Sequence, residues 1–534
     1  RVNKKSSFDI DYVHFDEAEQ PIGPTVAEAL AKLPGVSAYN TCVGVAKPVI
    51  RGFTATRISV YDQGIKQEGQ QWGMDHGLEI DPFDAGRVEL IKGPSSLEYG
   101  SDAAGGVIKL LPEPWPENGF KSNYTGIYKS NNNSIENSLF ASDSKGNSFL
   151  SARVSFSRFE DFRVPAETYV YNGFVLPVED NRLKNTAGAI LSIRANYGIR
   201  KEGINLRLNA GRYEQKTGLY SGATGIPRAY EVAPIGRTRS IALPNQKIIH
   251  HRISAKLNTR IAGQWISTNI GYQLNDRTEN SEPHNHGYLE IDPDDVVALK
   301  LKLHTLSLNS KYQNNWGKSS FILGTSHQYQ INRKGGWEYL LPDFNTYNGA
   351  VYGILNGAFS SKLEWNSGLR IDYAYVNSSQ HLQPWYFNPD SLDERSPDIR
   401  KSFLNYSISS GLIYNPTSKW NFKLNLSRSF RVPQVAELAS NGVHHGTFRH
   451  EVGNAELDSE IGYHADMSFN YLGEKLLFKF TPFYNYYSNY IYLRPSSRFS
   501  TLPDAGQLYL YTQAEVIITG AEFYIDLHPL EGFH

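Results

Sequence analysis

From about residue 120 to the end of the chain, polar and apolar residues alternate, and no other feature restricts the fold so tightly. In SFLSARVSFSR, Leu150, Ala152, Val154 and Phe156 alternate with Ser151, Arg153, Ser155 and Ser157. NFKLNLSRSF sets Phe422, Leu424 and Leu426 against Lys423, Asn425 and Ser427, and INLRLNAGRY near residue 204 does the same. A period of two puts successive side chains on opposite faces of an extended strand, so each run reads as an antiparallel strand with one apolar face. Tight polar turns (SDSKGN, RKEG, LEWNSG, NPTSK, YLGEK) alternate with long connections at 214–246, 277–296, 331–347, 379–400 and 432–458. Short turns on one rim, long loops on the other and roughly sixteen strands between them are the layout of a transmembrane antiparallel β-barrel. A soluble sandwich or propeller is the competing architecture. Sandwiches rarely sustain such long strands, and no four-stranded blade repeat is present.

Composition agrees with a strand-built membrane protein. There are 34 Tyr, 26 Phe and 8 Trp against 2 Met, and aromatic residues favour strands and gather at membrane–water boundaries. No apolar run of about 18 residues supports a transmembrane helix. The first residues, RVNKKSSFDIDYVHF, lack the apolar core of a signal peptide, so any export signal is expected to lie outside this sequence. Lys plus Arg number 53 against 54 Asp plus Glu, without the basic surplus of a nucleic-acid binder. The single cysteine, Cys42, excludes an intrachain disulfide and a Cys-based zinc site.

Residues 1–115 follow a different grammar, and a proline-rich joint, LLPEPWPENG, separates them from the barrel at 120–534. TVAEALAKLPGV carries Val26, Leu30 and Leu33 at helical spacing, ended by Pro34-Gly35, and short β-like pieces follow between glycines. The glycine-rich stretch RVELIKGPSSLEYGSDAAGGVIKLLP is not a phosphate loop. Such a loop needs Lys and Ser or Thr directly after its last glycine, and here Ser-Asp-Ala follows GPSSLEYG.

The order of these pieces resembles the plug domain of TonB-dependent outer-membrane receptors. The resemblance rests on Leu33-Pro34-Gly35-Val36, Ile50-Arg51-Gly52, a D-x-G turn with Gln63 inside it, and Glu89-Leu90-Ile91-Lys92-Gly93-Pro94. Tyr99-Gly100 and Gly105-Gly106-Val107-Ile108 complete it, with Lys92 for the usual Arg and Lys109 for the usual Asn. In the barrel, Phe430-Arg431-Val432-Pro433, Glu437-Leu438, Gly453-Asn454-Ala455-Glu456-Leu457 and Glu460 resemble a second signature of the family, Ala455 replacing its proline. The resemblance implies a 22-stranded barrel around an α/β plug, with the last strands expected beyond residue 534. It also implies energised import across the bacterial outer membrane, driven by TonB and its inner-membrane companion proteins, rather than catalysis. Arg51, Arg87, Glu89 and Lys92 are the candidates for charged contacts between plug and barrel wall.

Four places offer chemistry for a cargo. GMDHGLEID presents Asp75, His76, Glu79 and Asp81; EPHNHGYLEID offers Glu282, His284 and His286; the loop between the two barrel motifs holds His444, His445 and His450; and tyrosines crowd YNYYSNYIYLRP. Imidazole and carboxylate suit zinc, copper or iron, and imidazole also ligates haem. The expected cargo is therefore a transition metal, a metal chelate such as a siderophore, or haem. His76, His284, His286, His444 and His445 are the expected metal ligands, and no intrinsic cofactor is expected. Against this stands the ordinary histidine of a polar loop, which binds nothing. Cobalamin or a saccharide is the alternative cargo, and a passive porin the alternative class. A porin has no use for the first hundred residues. An enzyme is disfavoured because neither a G-x-S-x-G elbow nor an H-E-x-x-H helix occurs.

Overall fold

The computed structural model describes residues 7–14, 25–70, 72–73, 76–93, 96–171, 174–220, 238–283, 286–288, 294–385, 388–444, 449–503 and 505–528. Among the described residues, eighteen strands form one curved barrel sheet. Two of them, Asn441–His444 and Arg449–Val452, make a short hairpin within a loop. The other sixteen run from Gly119–Lys129 to Gln507–Leu527, each antiparallel to the next. No register pairs the first of these with the last among the described residues.

The wall shows why the alternation matters. Leu150, Val154 and Phe156 face outward and are exposed, whereas Ser151 and Ser155 between them are buried, and Arg153 reaches Asp84 of the N-terminal domain at 3.3 Å. Such an apolar exterior is stable against lipid and would be costly against water. Residues 146–147, 202–203, 262–263, 317–318, 359–362, 415–419 and 473–475 join strands on one rim. On the opposite, outer rim the longer connections are 160–187, 219–244, 281–296, 336–343, 379–398, 432–459 and 500–506. No helix among the described residues is long and apolar enough to cross a membrane.

Inside the wall lies a small domain with its own core. Its sheet has five strands in the order Asp9–His14, Arg87–Lys92, Gly106–Leu110, Ile58–Asp62, Ile65–Lys66, and a hairpin of Val36–Cys42 and Val45–Ile50 packs beside it. Thr25 caps the helix Val26–Leu30 in a reciprocal box with Glu28, which satisfies two orphan amides and lets Val26, Ala27 and Leu30 enter the core. Leu90, Ile108, Val60 and Phe53 fill that core from the sheet and the turn before it.

Two tight turns explain the glycine spacing. Ile50 and Phe53 exchange both backbone hydrogen bonds across Arg51 (φ 51°) and Gly52 (φ 85°). Gln63 (φ 51°) and Gly64 (φ 93°) join Ile58–Asp62 to Ile65–Lys66 in the same manner. Both φ angles are positive, as a two-residue hairpin turn requires, so glycine takes the second place at little cost. At Gly105 a Cβ would lie 2.5 Å from that of Phe53, so the chain passes there only without a side chain.

Candidate functional site

The apex of the N-terminal domain is the loop from Gln67 to Ile80, lying beneath the outer connections. Trp72 packs against Leu299, Leu301, Leu340, Leu341 and Ala436, which come from the wall and from two outer loops. Its indole Nε1–H donates to Gln70 at 2.9 Å, and its ring meets His76 edge-on at 4.8 Å. Glu79 is wholly buried and enters the wall, where it accepts from Asn275 at 2.6 Å and Arg277 at 3.1 Å and meets His250 at 2.9 Å. Burial alone would raise its pKa. The His250 contact and the Arg277 charge outweigh that and hold the carboxyl below the usual range.

Above the apex, five connections pack into a cap. Tyr288 stacks on Trp385 at 4.8 Å, and Tyr339 stacks on His381 at 4.4 Å. The Arg395 guanidinium lies 4.2 Å from the Tyr288 ring and 5.2 Å from Tyr339, and donates to the Asn441 carbonyl at 2.5 and 3.1 Å. His286 approaches the Pro503 carbonyl at 2.7 Å and Glu338 at 3.2 Å. Burial and the charges of Lys334 and Arg395 push the His381 pKa down to about 4; burial, Arg395 and His286 do the same to His450.

Beneath the cap, a cleft of about 130 Å³ descends between the N-terminal domain and the wall. Trp72, Leu341 and Gln434 line its upper part, and Asp102, Asn348 and Arg370 line it lower down. It has room for several waters or one small solute.

The domain meets the wall through apolar contacts, Tyr487, Tyr490, Val516 and Ile518 of the wall packing against its core, and through a set of buried ion pairs. Arg51 reaches Glu522 and Asp466 at 2.7 Å each and Asp9 at 3.4 Å, and Lys92 bridges Glu522 at 2.8 Å and Asp11 at 2.9 Å. Arg57 grips Glu460 with two nitrogens at 2.6 and 2.9 Å, and Glu460 also receives Arg431, which in turn forks onto Glu437. Asp62 takes Arg194 at 2.5 Å and Arg252 at 2.9 Å. Asp81 accepts a hydrogen bond from Ser155 of the wall.

The candidate residues therefore sort by place. Arg51 and Lys92 join the two parts as expected of plug–wall contacts. Glu89 does not: it pairs with Lys109 on the neighbouring strand at 3.1 Å, because both side chains share one sheet face. Arg87 forms no ion pair with the wall among the described residues. Gly93 and Gly100 adopt positive φ, and Tyr99 receives the Tyr61 hydroxyl on its carbonyl. The Cβ of a residue at Gly106 would lie 2.8 Å from the Ile91 carbonyl.

His76 and Glu79 lie at the apex, while His286 and His450 sit in the cap. Both ring nitrogens of His450 are engaged, by Ser500 at 2.8 Å and Asn441 at 2.9 Å, so it has no lone pair for a metal in this state. No group of three His, Cys, Asp or Glu side chains suited to a metal ion forms among the described residues. Asp75, Pro94, His284, His445 and the side chain of His444 lie outside the described residues. The cap residues Tyr288, Tyr339, Trp385 and Arg395 carry no sequence signal, since an aromatic or arginine in a long loop reads as ordinary.

Residues 194–530 match the family described as TonB dependent receptor-like, beta-barrel, and residues 3–107 match the TonB-dependent Receptor Plug Domain. The chain belongs to the TonB-dependent receptor family. Members of this family are outer-membrane transporters and not enzymes. Over 103 residues the receptor is 32% identical to the vitamin B12 transporter BtuB of Photobacterium profundum, a match of 19% of this chain and 17% of that protein. Over 111 residues it is 34% identical to the hemin receptor of Yersinia enterocolitica, covering 20% of this chain and 16% of the relative. Each match thus spans less than a fifth of the relative's length. The solved structure of the copper transporter OprC superposes with a TM-score of 0.76 at 14% identity, covering 98% of this chain and 78% of that one, a likeness of fold.

Proposed function

We propose that this receptor captures a scarce metal complex, an iron chelate or haem, at the outer face of the bacterial outer membrane and releases it to the periplasm when TonB does work on the plug. The carrying observation is the plug itself: a domain with its own apolar core, seated in the lumen by buried ion pairs and covered by a cap of loops. Ionic contacts suit a part that must move. Water repays much of the free energy of separated charges, whereas it repays nothing to separated apolar surfaces. A tight site gives up its cargo only when its conformational equilibrium is shifted, and that shift is what the TonB partner supplies.

The metal-complex reading is supported by histidines at the apex and in the cap and by a relative named for hemin, while the relative named for vitamin B12 matches the alternative cargo. His76, His284, His286, His444 and His445 are the proposed ligands, becoming available as the cap opens, and Asp75 is a proposed hydrogen-bond partner to a ligating imidazole. Uptake of haem, ferric chelates, zinc salts, cobalamin and oligosaccharides by cells expressing the receptor tests the proposal. Uptake of a haem or iron complex is expected, and it should stop with a protonophore or without TonB. Uptake that survives in de-energised cells would make the protein a passive pore; uptake of saccharide alone would replace the cargo.

A further inference from the structure

The outward face of the wall is apolar over most of its circumference, but it turns basic near the outer rim on the strands from Ile204–Gly218 to Ser319–Gly335. The register sets its outward residues in level rows. In the uppermost row Lys216 stands opposite Lys247, Lys247 opposite Thr278, and Thr278 opposite Lys300. Two residues lower the row reads Glu214, Ile249, Asp276, Lys302, Arg333, and below that Arg212, His251, Leu274, His304, Ile331. The next row, Ala210, Ile253, Tyr272, Leu306 and Tyr329, carries no charge. At the level of the patch, the adjoining strands present Leu191 and Ile193 on one side and Asn345 and Asn377 on the other.

Six cations, Arg212, Lys216, Lys247, Lys300, Lys302 and Arg333, thus face two carboxylates, Glu214 and Asp276. Glu214 pairs with Arg212 at 2.6 Å and Lys247 at 3.3 Å, and Asp276 with Lys302 at 3.5 Å. Lys216, Lys300 and Arg333 have no ion pair among the described residues. Lys216 faces Lys247 directly across the strands, as Lys302 faces Arg333. Like charges so placed destabilise a sheet, and an added counter-charge would relieve them. Strand spacing of about 4.8 Å and row spacing of about 6.6 Å make the patch roughly 19 by 13 Å. It lies where the apolar band ends, at the level of lipid headgroups, and lysine and arginine bind phosphate oxygens by charge-assisted hydrogen bonds.

We propose that this patch binds the phosphorylated headgroup of an anionic outer-leaflet lipid. The proposal rests on the outer-membrane orientation and is independent of the cargo. Native mass spectrometry of the detergent-purified receptor, with diphosphorylated lipid A as probe and its dephosphorylated form as control, tests it. The parent should retain the diphosphorylated lipid, increasingly so at low salt. A variant combining Lys216→Gln, Lys247→Gln, Lys302→Gln and Arg333→Gln should lose about tenfold or more in binding. The corresponding Lys→Arg variant should keep it. Both variants should still float with outer membranes, since the changed side chains pack against little. Equal retention by the Gln variant, or equal binding of the dephosphorylated lipid, overturns the proposal. Competition by inorganic pyrophosphate at equal phosphate concentration would make the patch a general phosphate site and overturn the lipid assignment.

Discussion

At the scale of single residues, Arg51 does the most with one side chain. It occupies the first place of a two-residue turn in a left-handed conformation that costs about 1–2 kcal/mol, and in return its guanidinium meets three carboxylates at once. Removing it leaves Asp9, Asp466 and Glu522 gathered and buried without their shared cation. Loss of one partner of a buried pair costs about 3–5 kcal/mol. Arg51→Ala should therefore loosen the plug, measured as faster hydrogen exchange in residues 36–62 and leakage of bulky antibiotics into cells. Arg51→Lys should recover only part, because an ammonium cannot reproduce the fork. Unchanged exchange in the Ala variant would mean that Lys92 holds the plug alone with Lys479 of the wall, which reaches Asp9 at 2.5 Å and Asp11 at 3.1 Å. The sequence marks Arg51 through its turn motif but says nothing of its partners. Glu522 is 471 residues away, and an inward carboxylate on a lumen-facing strand looks like any other polar residue there.

Among elements, the cap is where pH should act. His381 and His450 pack in their neutral forms, and their pKa values of about 4 lie below the ordinary 6.5. A depressed histidine pKa means that the cap holds its full strength above about 6.5 and loses it as pH falls from there toward about 4. Glu338 acts in the opposite sense, since burial raises its pKa and favours the protonated carboxyl within the cap. Two histidines against one carboxyl predict net loosening in acid. Hydrogen exchange in 379–398 and 441–452 should speed up between pH 7 and pH 4.5, and His381→Phe, which keeps the stack on Tyr339, should blunt the change. A Cβ added at Gly442 would fall 1.6 Å from the Tyr339 carbonyl, so Gly442→Ala should separate the Asn441–His444 hairpin from the 336–343 connection at any pH. Strands and turns were legible because a period of two reports directly which face each residue takes. The cap was not, because its order comes from contacts among loops, and loop sequences carry no period.

For the molecule as a whole, the proposed import mechanism requires the plug to shift against the wall. Asp81 of the plug touches Ser155 of the wall, and Cys42 is the only native cysteine. Cysteines placed at 81 and 155 in a Cys42→Ser background are close enough to be joined by a disulfide under mild oxidation. Bridged receptor should bind cargo and fail to import it, with unbridged receptor importing normally; import by the bridged form would place the route elsewhere.

If the plug leaves its seat during import as proposed, the ion pairs between plug and wall also govern how it returns. Apolar surfaces accept many sliding registers, but Arg51, Arg57, Asp62, Glu79 and Lys92 find their opposite charges at four separate points around the lumen, Arg51 and Lys92 sharing Glu522, and only one orientation neutralises them all. A displaced plug is thereby indexed back to a single seat. On that mechanism, the seal after repeated openings is set by the geometry of these charges rather than by the strength of any one of them.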